Sequence, residues 1–186
     1  MVILGSSSPR RIELLKKLVP EFKLIKPTFD ENLINKNTRH LALKEAKNKA
    51  FSIKNLAEPQ DFLICCDTIV KYKNIVLTKP KDLNEAKKYL QLLSGKRHAV
   101  ISGVAIFYKN KHYFKEVKTY VFFNNLSDEL IENYIHTINV LDKAGAYSIQ
   151  DDGKFNLIKK IKGDKNNVIG FPLFYIEKIL KQNKLI

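Results

Sequence analysis

Phe62-Leu63-Ile64-Cys65-Cys66-Asp67-Thr68 is an unbroken apolar run closed by an acid and a threonine. A run of this kind reads as a strand covered on both faces, the pattern of a parallel strand in an α/β sheet rather than of a half-solvated antiparallel one. The strand is expected to stop at Asp67-Thr68. A carboxylate at the end of a buried strand is fixed in position while the loop beyond it opens to a ligand, so Asp67 is a candidate for chemistry. Cys65 and Cys66 are neighbours inside the run, which is poor geometry for a mutual disulfide and offers no metal-ligand spacing. They read as buried strand residues.

Working outward, the N-terminal Val2-Ile3-Leu4 is a second apolar run, followed by Gly5-Ser6-Ser7-Ser8-Pro9-Arg10-Arg11. Ser8 is an N-cap residue and Pro9 suits a first helical turn, so a helix is expected from there through Ile12, Leu15 and Leu18. Its first turn holds Arg10 and Arg11, although a helix N-terminus carries partial positive charge and favours acids. Either the two are surface arginines with solvated heads, or they face an anion. First-turn amides, serine hydroxyls and two guanidiniums together suit a phosphate chain.

Further along, Phe22–Ile25 is a short strand candidate, and Thr38 is placed to cap a helix whose Ala42, Ala46, Ala50, Ile53 and Ala57 form one buried stripe. The other face is read as Lys44, Glu45, Lys47 and Lys49. Ile69–Tyr72 and Ile75–Leu77 form a hairpin about Lys73-Asn74, leading to Thr78-Lys79-Pro80, where Lys79 is held extended by the proline. Asp82-Leu83-Asn84-Glu85 reads as a capping box, with Ser94-Gly95 closing that helix. His98–Tyr108 and Tyr113–Phe123 make an antiparallel pair, and Ser127 caps a helix carrying Leu130, Ile131, Tyr134, Ile135 and Ile138. Asp142–Gln150 is dense in small residues, as in loops where backbone approaches a ligand. Phe155–Ile161 is expected as a strand, and Gly170-Phe171-Pro172 opens the last helix. No repeat or low-complexity segment interrupts this order. The expectation is a mixed α/β (α+β) fold, a sheet with flanking helices, in one domain over residues 1–186 without a separable linker.

Composition bounds the function. There are 33 Lys and Arg against 19 Asp and Glu, a net charge of +14. That charge would suit a nucleic acid or an anionic substrate. The lysines, however, are scattered along every segment, with their densest cluster at Lys154, Lys159, Lys160, Lys162 and Lys165. No run approaches the roughly 18 apolar residues of a membrane span, and the N-terminus lacks a signal-peptide pattern, so a cytoplasmic location is expected.

In order and spacing, Ser6-Ser7-Ser8-Pro9-Arg10-Arg11, Asp30-Glu31, Asp67-Thr68, Lys79-Pro80, Leu93-Ser94-Gly95, Asp142-Lys143-Ala144-Gly145-Ala146-Tyr147 with Ile149-Gln150, and Gly163-Asp164 before Gly170-Phe171-Pro172 resemble the Maf family almost end to end. These are nucleoside triphosphate pyrophosphatases related in fold to the Ham1-type house-cleaning enzymes. The resemblance implies an elongated mixed sheet flanked by helices, with two lobes about a central cleft. It implies hydrolysis between the α- and β-phosphates, giving the monophosphate and pyrophosphate. Asp67 then looks like the proton acceptor, Glu31 and Asp67 the ligands of a divalent cation (Mg2+ or Mn2+), and Ser6, Ser8, Arg10, Arg11, Thr68, Lys79 and Gln150 the substrate-binding set. Phosphate oxygens repel a nucleophile, which is why such a site needs cations along the chain.

In the branch acting on dTTP and UTP, the second arginine, the threonine after the aspartate and a glutamine after the small-residue loop mark specificity; here these are Arg11, Thr68 and Gln150. A glutamine amide both donates and accepts, as the imide edge of uracil or thymine requires. The sister branch, which prefers 7-methyl-GTP, differs at these positions. The resemblance also suggests a homodimer, and links the family to septum formation. A second reading follows from that link and the charge: a regulator or nucleic-acid-binding protein that keeps the fold without turnover. Phe107, Tyr108, Tyr113 and Phe114 sit inside strand patterns instead of lining a basic face, which argues against it.

There is one departure. The family usually has Leu-Ala-x-x-Lys-Ala, with a substrate-facing lysine; this chain has Leu41-Ala42-Leu43-Lys44-Glu45-Ala46. Lys44 and Lys47 lie about 100° and 200° around the helix from that place. Lower activity or a shifted phosphate grip is the expected consequence.

Overall fold

The apolar run does form a buried strand, but the strand does not stop at Asp67. In a computed structural model, which describes residues 1–30, 34–36 and 38–186, it continues to Tyr72. The elements in order are β1 Val2–Gly5, α1 Pro9–Lys16, β2 Lys23–Leu24, α2 Leu41–Ile53, β3 Phe62–Tyr72, β4 Ile75–Leu77, α3 Leu83–Leu93, β5 Arg97–Tyr108, β6 Lys111–Phe123, α4 Asp128–Thr137, α5 Asp152–Phe155, β7 Ile158–Lys162, α6 Lys165–Ile169 and α7 Leu173–Gln182. The strand order is β2-β1-β3-β5-β6-β7, with β4 off this path on β3. The chain divides into two compact units, one of Met1–Thr68, Ser102–Val117 and Gly170–Ile186, the other of Ile69–Ile101 and Lys118–Ile169. Strands β3, β5 and β6 each contribute to both.

In the first unit, β1 runs parallel to β2 and to β3, pairing Val2 with Phe62 and Gly5 with Cys65. That parallel pairing is why Ile3, Leu4, Leu63 and Ile64 are apolar without alternation. The pairing ends at Gly5, where the chain turns through Ser6–Ser8 into α1. It is therefore the end of β1, not of β3, that frees the backbone beside Cys66 and Asp67. Helix α1 is shorter than expected, ending at Lys16, with Leu14 and Leu15 buried.

Helix α2 begins at Leu41 after His40, not under a Thr38 cap. His40 adopts left-handed backbone (φ 55°) and its ring meets Glu116, so a side-chain cap is absent. Ala42, Ala46, Ala50 and Ile53 are fully buried, as expected. The expected polar face is corrected, however, because Glu45 and Lys49 are buried too and only Lys44 is exposed. Small side chains let α2 lie close on the sheet. A Cβ built on Gly103 of β5 would stand 2.2 Å from the Ala42 carbonyl oxygen, so this crossing needs glycine.

The second unit has its own core, in which Val70, Leu90, Leu93, Val100, Val121, Phe123, Ile131 and Tyr134 are among the buried residues. The hairpin forms as expected, with Val70 opposite Leu77 and Lys73 at φ 51°. Asp82 accepts the Glu85 amide (2.7 Å) and Ser127 the Leu130 amide (3.1 Å), so both expected caps are made. The strand expected at Phe155–Ile161 begins only at Ile158. Residues Asp152–Phe155 are a helical turn ended by left-handed Asn156, and the Asp152 carboxylate accepts the Ile158 amide (2.8 Å). Among the described residues no helix is long and apolar enough to cross a membrane.

Gly103→Ala is expected to destabilise the protein by about 1–3 kcal/mol, the usual cost of overpacking, because helix backbone rather than a flexible side chain must yield. Urea unfolding checks this through a lower midpoint at unchanged slope.

Candidate active site

Asp67 is the centre of the polar cluster in the first unit. It is 6% exposed, and its neighbours Glu45 and Lys49 are 7% and 9% exposed. The Lys49 ammonium donates to Asp67 Oδ1, and the Glu45 side chain shares a hydrogen bond with Asp67. Burial would push the Asp67 carboxyl up. The Lys49 ammonium, the Glu45 hydrogen bond and the Arg11 charge outweigh it, and the net shift is down. Asp67 is thus a buried carboxylate kept charged by its partners. On the same strand, burial pushes both cysteine thiols up to about 12, which leaves them protonated and inert as nucleophiles.

Arg11 is tied down. Nε donates to the Gly170 carbonyl (3.0 Å), Nη1 to the Cys66 carbonyl (2.6 Å) and Nη2 to Thr68 Oγ1 (3.5 Å). The Cys66 carbonyl is available to it because β1 has already ended. Thr68 Oγ1 also shares a hydrogen bond with Ser102 Oγ (2.8 Å) and donates to the Gly170 carbonyl (3.3 Å). Arg11 and Thr68 are therefore one network, which fixes the start of α1 and the segment before α7 to the strand carrying Asp67. Ser6 is buried and its hydroxyl accepts the Ser8 amide (3.1 Å), shaping the turn into α1. Ser8 is the N-cap by backbone only; its hydroxyl makes no cap bond. Arg10 is half-buried in the first turn.

Glu31 lies outside the described residues. Lys79 and Gln150 belong to the second unit, both exposed. Gln150 is presented by a fixed segment: the Ser148 amide donates to the Tyr134 hydroxyl (3.1 Å), and the Gln150 amide to Ser148 Oγ (3.1 Å). Gly145 lies at φ +71° with a built Cβ 2.9 Å from Val70 Cγ2, so it packs closely on β3. Next to this segment, His98 Nε2 meets the Tyr147 hydroxyl (2.7 Å), while Nδ1 is buried with no hydrogen-bond partner among the described residues.

The residue that sequence reading missed is Lys49. The signal was present: 42, 45, 46, 49, 50 and 53 recur at three- and four-residue spacing and make one wide stripe. Glu45 and Lys49 sit inside that stripe, and as polar residues they are buried because both are bonded to Asp67. Neither alternative lysine reaches round, since Lys44 is exposed and the Lys47 ammonium lies 4.0 Å from the Phe114 ring centroid.

A family model described as Maf-like protein matches residues 1–183. The chain belongs to the Maf family. Over 185 residues it is 45% identical to a dTTP/UTP pyrophosphatase of Thermosipho melanesiensis, covering 100% of this chain and 99% of that protein. A dTTP/UTP pyrophosphatase of Thermosipho africanus is 43% identical over 185 residues, with 100% and 94% covered. The Ham1 protein of Staphylococcus aureus shares the fold at a TM-score of 0.53, with 14% identity and 98% of each chain covered. The two Thermosipho relatives are named for a reaction, and the second reading, a regulator without turnover, finds no support in them.

Burial holds the His98 imidazole down at about 4, against its ordinary 6.5. The folded state therefore resists a proton that the unfolded chain accepts below pH 6.5, and stability falls as pH drops from about 6.5 to about 4. For this Maf-family chain the loss over that window is expected to be on the order of 3 kcal/mol. His98→Gln keeps a polar partner for Tyr147 but does not titrate, so its urea-unfolding free energy should fall less over the same window.

Proposed function

We propose that the chain hydrolyses dTTP and UTP to the nucleoside monophosphate and pyrophosphate. The observation that carries the chemistry is the buried, ionised Asp67 beside the fixed Arg11 network, at the place where β1 leaves β3. The substrate class is supported by the whole-length match to proteins named for it. Water is a weak nucleophile, and general-base assistance by a placed carboxylate contributes typically 10²–10⁴-fold. Asp67, oriented by the Lys49 contact on Oδ1, takes the proton as water adds and pyrophosphate leaves. Arg10 at the helix start and Lys79 supply positive charge for phosphate oxygens, with the Ser6–Ser8 turn as backbone and hydroxyl donors. Gln150 reads the imide edge of the pyrimidine by one donated and one accepted hydrogen bond. Arg11 and Thr68 contribute to this choice by holding the stretch of β3 around Asp67 rather than by a free guanidinium.

The donor set fits a hard divalent cation, since Asp67 and Glu45 bring neighbouring carboxyl oxygens, the ligand type of magnesium and manganese. Among the described residues no three such groups stand together, and Glu31, the other ligand that the resemblance implies, lies outside them. When bound, the ion neutralises charge on the triphosphate.

Pyrophosphate release across a panel of triphosphates tests the reading. Turnover is expected with dTTP and UTP above ATP, GTP and 7-methyl-GTP, to vanish with a chelator and to return with magnesium or manganese. Asp67→Asn should lower kcat by about 10²–10⁴-fold. Gln150→Leu should cut kcat/KM for UTP by about 10–100-fold, since a lost hydrogen-bond pair leaves the base edge unpaired. Equal turnover by Asp67→Asn, or a preference for 7-methyl-GTP, contradicts it.

A further inference from the structure

We infer that the outward face of strands β5, β6 and β7 in the second unit holds single-stranded nucleic acid, with bases stacked on Tyr120 and Phe122 and phosphates against the cations beside them. This goes beyond the pyrophosphatase reading and does not depend on it, since none of these residues belongs to the set assigned to the triphosphate. The surface is an addition to an enzyme, not a substitute for turnover.

Residues 96–101, 118–123 and 158–162 contain no Asp or Glu, yet they carry Lys96, Arg97, Lys118, Lys159, Lys160 and Lys162. All six are exposed, and among the described residues none of them is in an ion pair. Strand alternation sends Val121 and Phe123 into the core and turns Tyr120 and Phe122 to the other face, where Tyr120 is exposed and Phe122 half-buried. Edge strand β7 sets Lys162 opposite Tyr120 and Lys160 opposite Phe122. From the β5 side, the Arg97 guanidinium lies 5.1 Å from the Tyr120 ring centroid. Lys96, Arg97, Phe122, Lys159 and Lys160 line a groove on this face. Two outward rings are thus flanked on both sides by cations that no acid neutralises.

Charge selects the occupant. A second copy of the chain would set like charges against each other, whereas a polyanion is attracted, and rings among the cations add stacking that bases use and bare phosphate does not. Spacing then selects the form. Tyr120 and Phe122 are two residues apart on one strand face, about 6.8 Å. Along one strand of a duplex the repeat is about 3.4 Å, and the base faces are closed off by their neighbours. Rings at twice that repeat fit bases parted from one another in an extended single strand, each with a lysine opposite for the adjoining phosphate. Phe107, Tyr108, Tyr113 and Phe114 belong to the first unit and have no part in this face.

Fluorescence anisotropy of labelled oligothymidylate and oligouridylate, each about 12 nucleotides long, tests this on the full chain over a salt series. Thermal melting establishes that each variant is folded. The two strands should bind within about fivefold of each other, because neither stacking nor phosphate contact uses the 2′-hydroxyl, and a duplex of equal length should bind about tenfold more weakly. Tyr120→Ala is expected to lose about tenfold with the salt dependence unchanged. Lys160→Gln/Lys162→Gln should also lose about tenfold, and the slope of log K against log salt should shrink by about 1.4. In a chain of net charge +14 the necessary control is Lys88→Gln/Lys178→Gln, which removes the same charge from exposed positions elsewhere and should stay within about twofold of the parent. Equal losses in the two lysine pairs would reduce the effect to net charge and overturn the assignment. So would a duplex bound as tightly as the single strands, or a Tyr120→Ala variant that binds like the parent. Displacement of the strand by UTP at equal phosphate concentration also overturns it, since the ligand would then be a mononucleotide or would lie in the triphosphate site. Should Tyr120→Ala fail to fold, the two pairs of exposed lysines decide the matter.

Discussion

A carboxylate buried in the middle of a sheet is the constraint on which the rest of this protein depends. Left alone, Asp67 would cost several kcal/mol to desolvate and would take up a proton. Lys49 and Arg11 prevent that, one by direct contact and the other by its charge. Meeting this demand fixes where α2 crosses the sheet, where α1 begins and how the segment before α7 returns. The small residues follow from the same geometry. Alanines on α2 and Gly103 on β5 bring the helix near enough for a lysine to be enclosed instead of reaching solvent.

Much of the fold was legible because its signals are local. The buried run at Phe62–Cys66, the caps at Asp82 and Ser127 and the Lys73-Asn74 hairpin each depend on a few adjacent residues. Misreadings arose where a distant partner decided the outcome. β3 runs past Asp67 because β4 pairs with it at Val70–Tyr72, beyond the last residue that β1 pairs. Thr38 is passed over because Glu116 engages His40. Asn156 in left-handed conformation postpones β7.

The site was legible by residue type and less so by role. Asp67 stood out as an acid after an apolar run, and Arg11 as a cation where a helix disfavours one. What spacing did not disclose is that the Arg11 guanidinium is spent on backbone carbonyls, which only tertiary structure supplies. Lys49 was hidden among many lysines, since in a chain of net charge +14 one more lysine on a helix reads as solvated. The clue was its place between Ala46 and Ala50, inside the stripe instead of opposite it.

The central claim is that this buried carboxylate serves water attack within the triphosphate chain, between the α- and β-phosphates. Phosphorus NMR of the products formed from UTP with magnesium tests it most directly. The account requires UMP and pyrophosphate in equal amounts, without orthophosphate in the early time course; UDP with orthophosphate, or unchanged UTP, would contradict it.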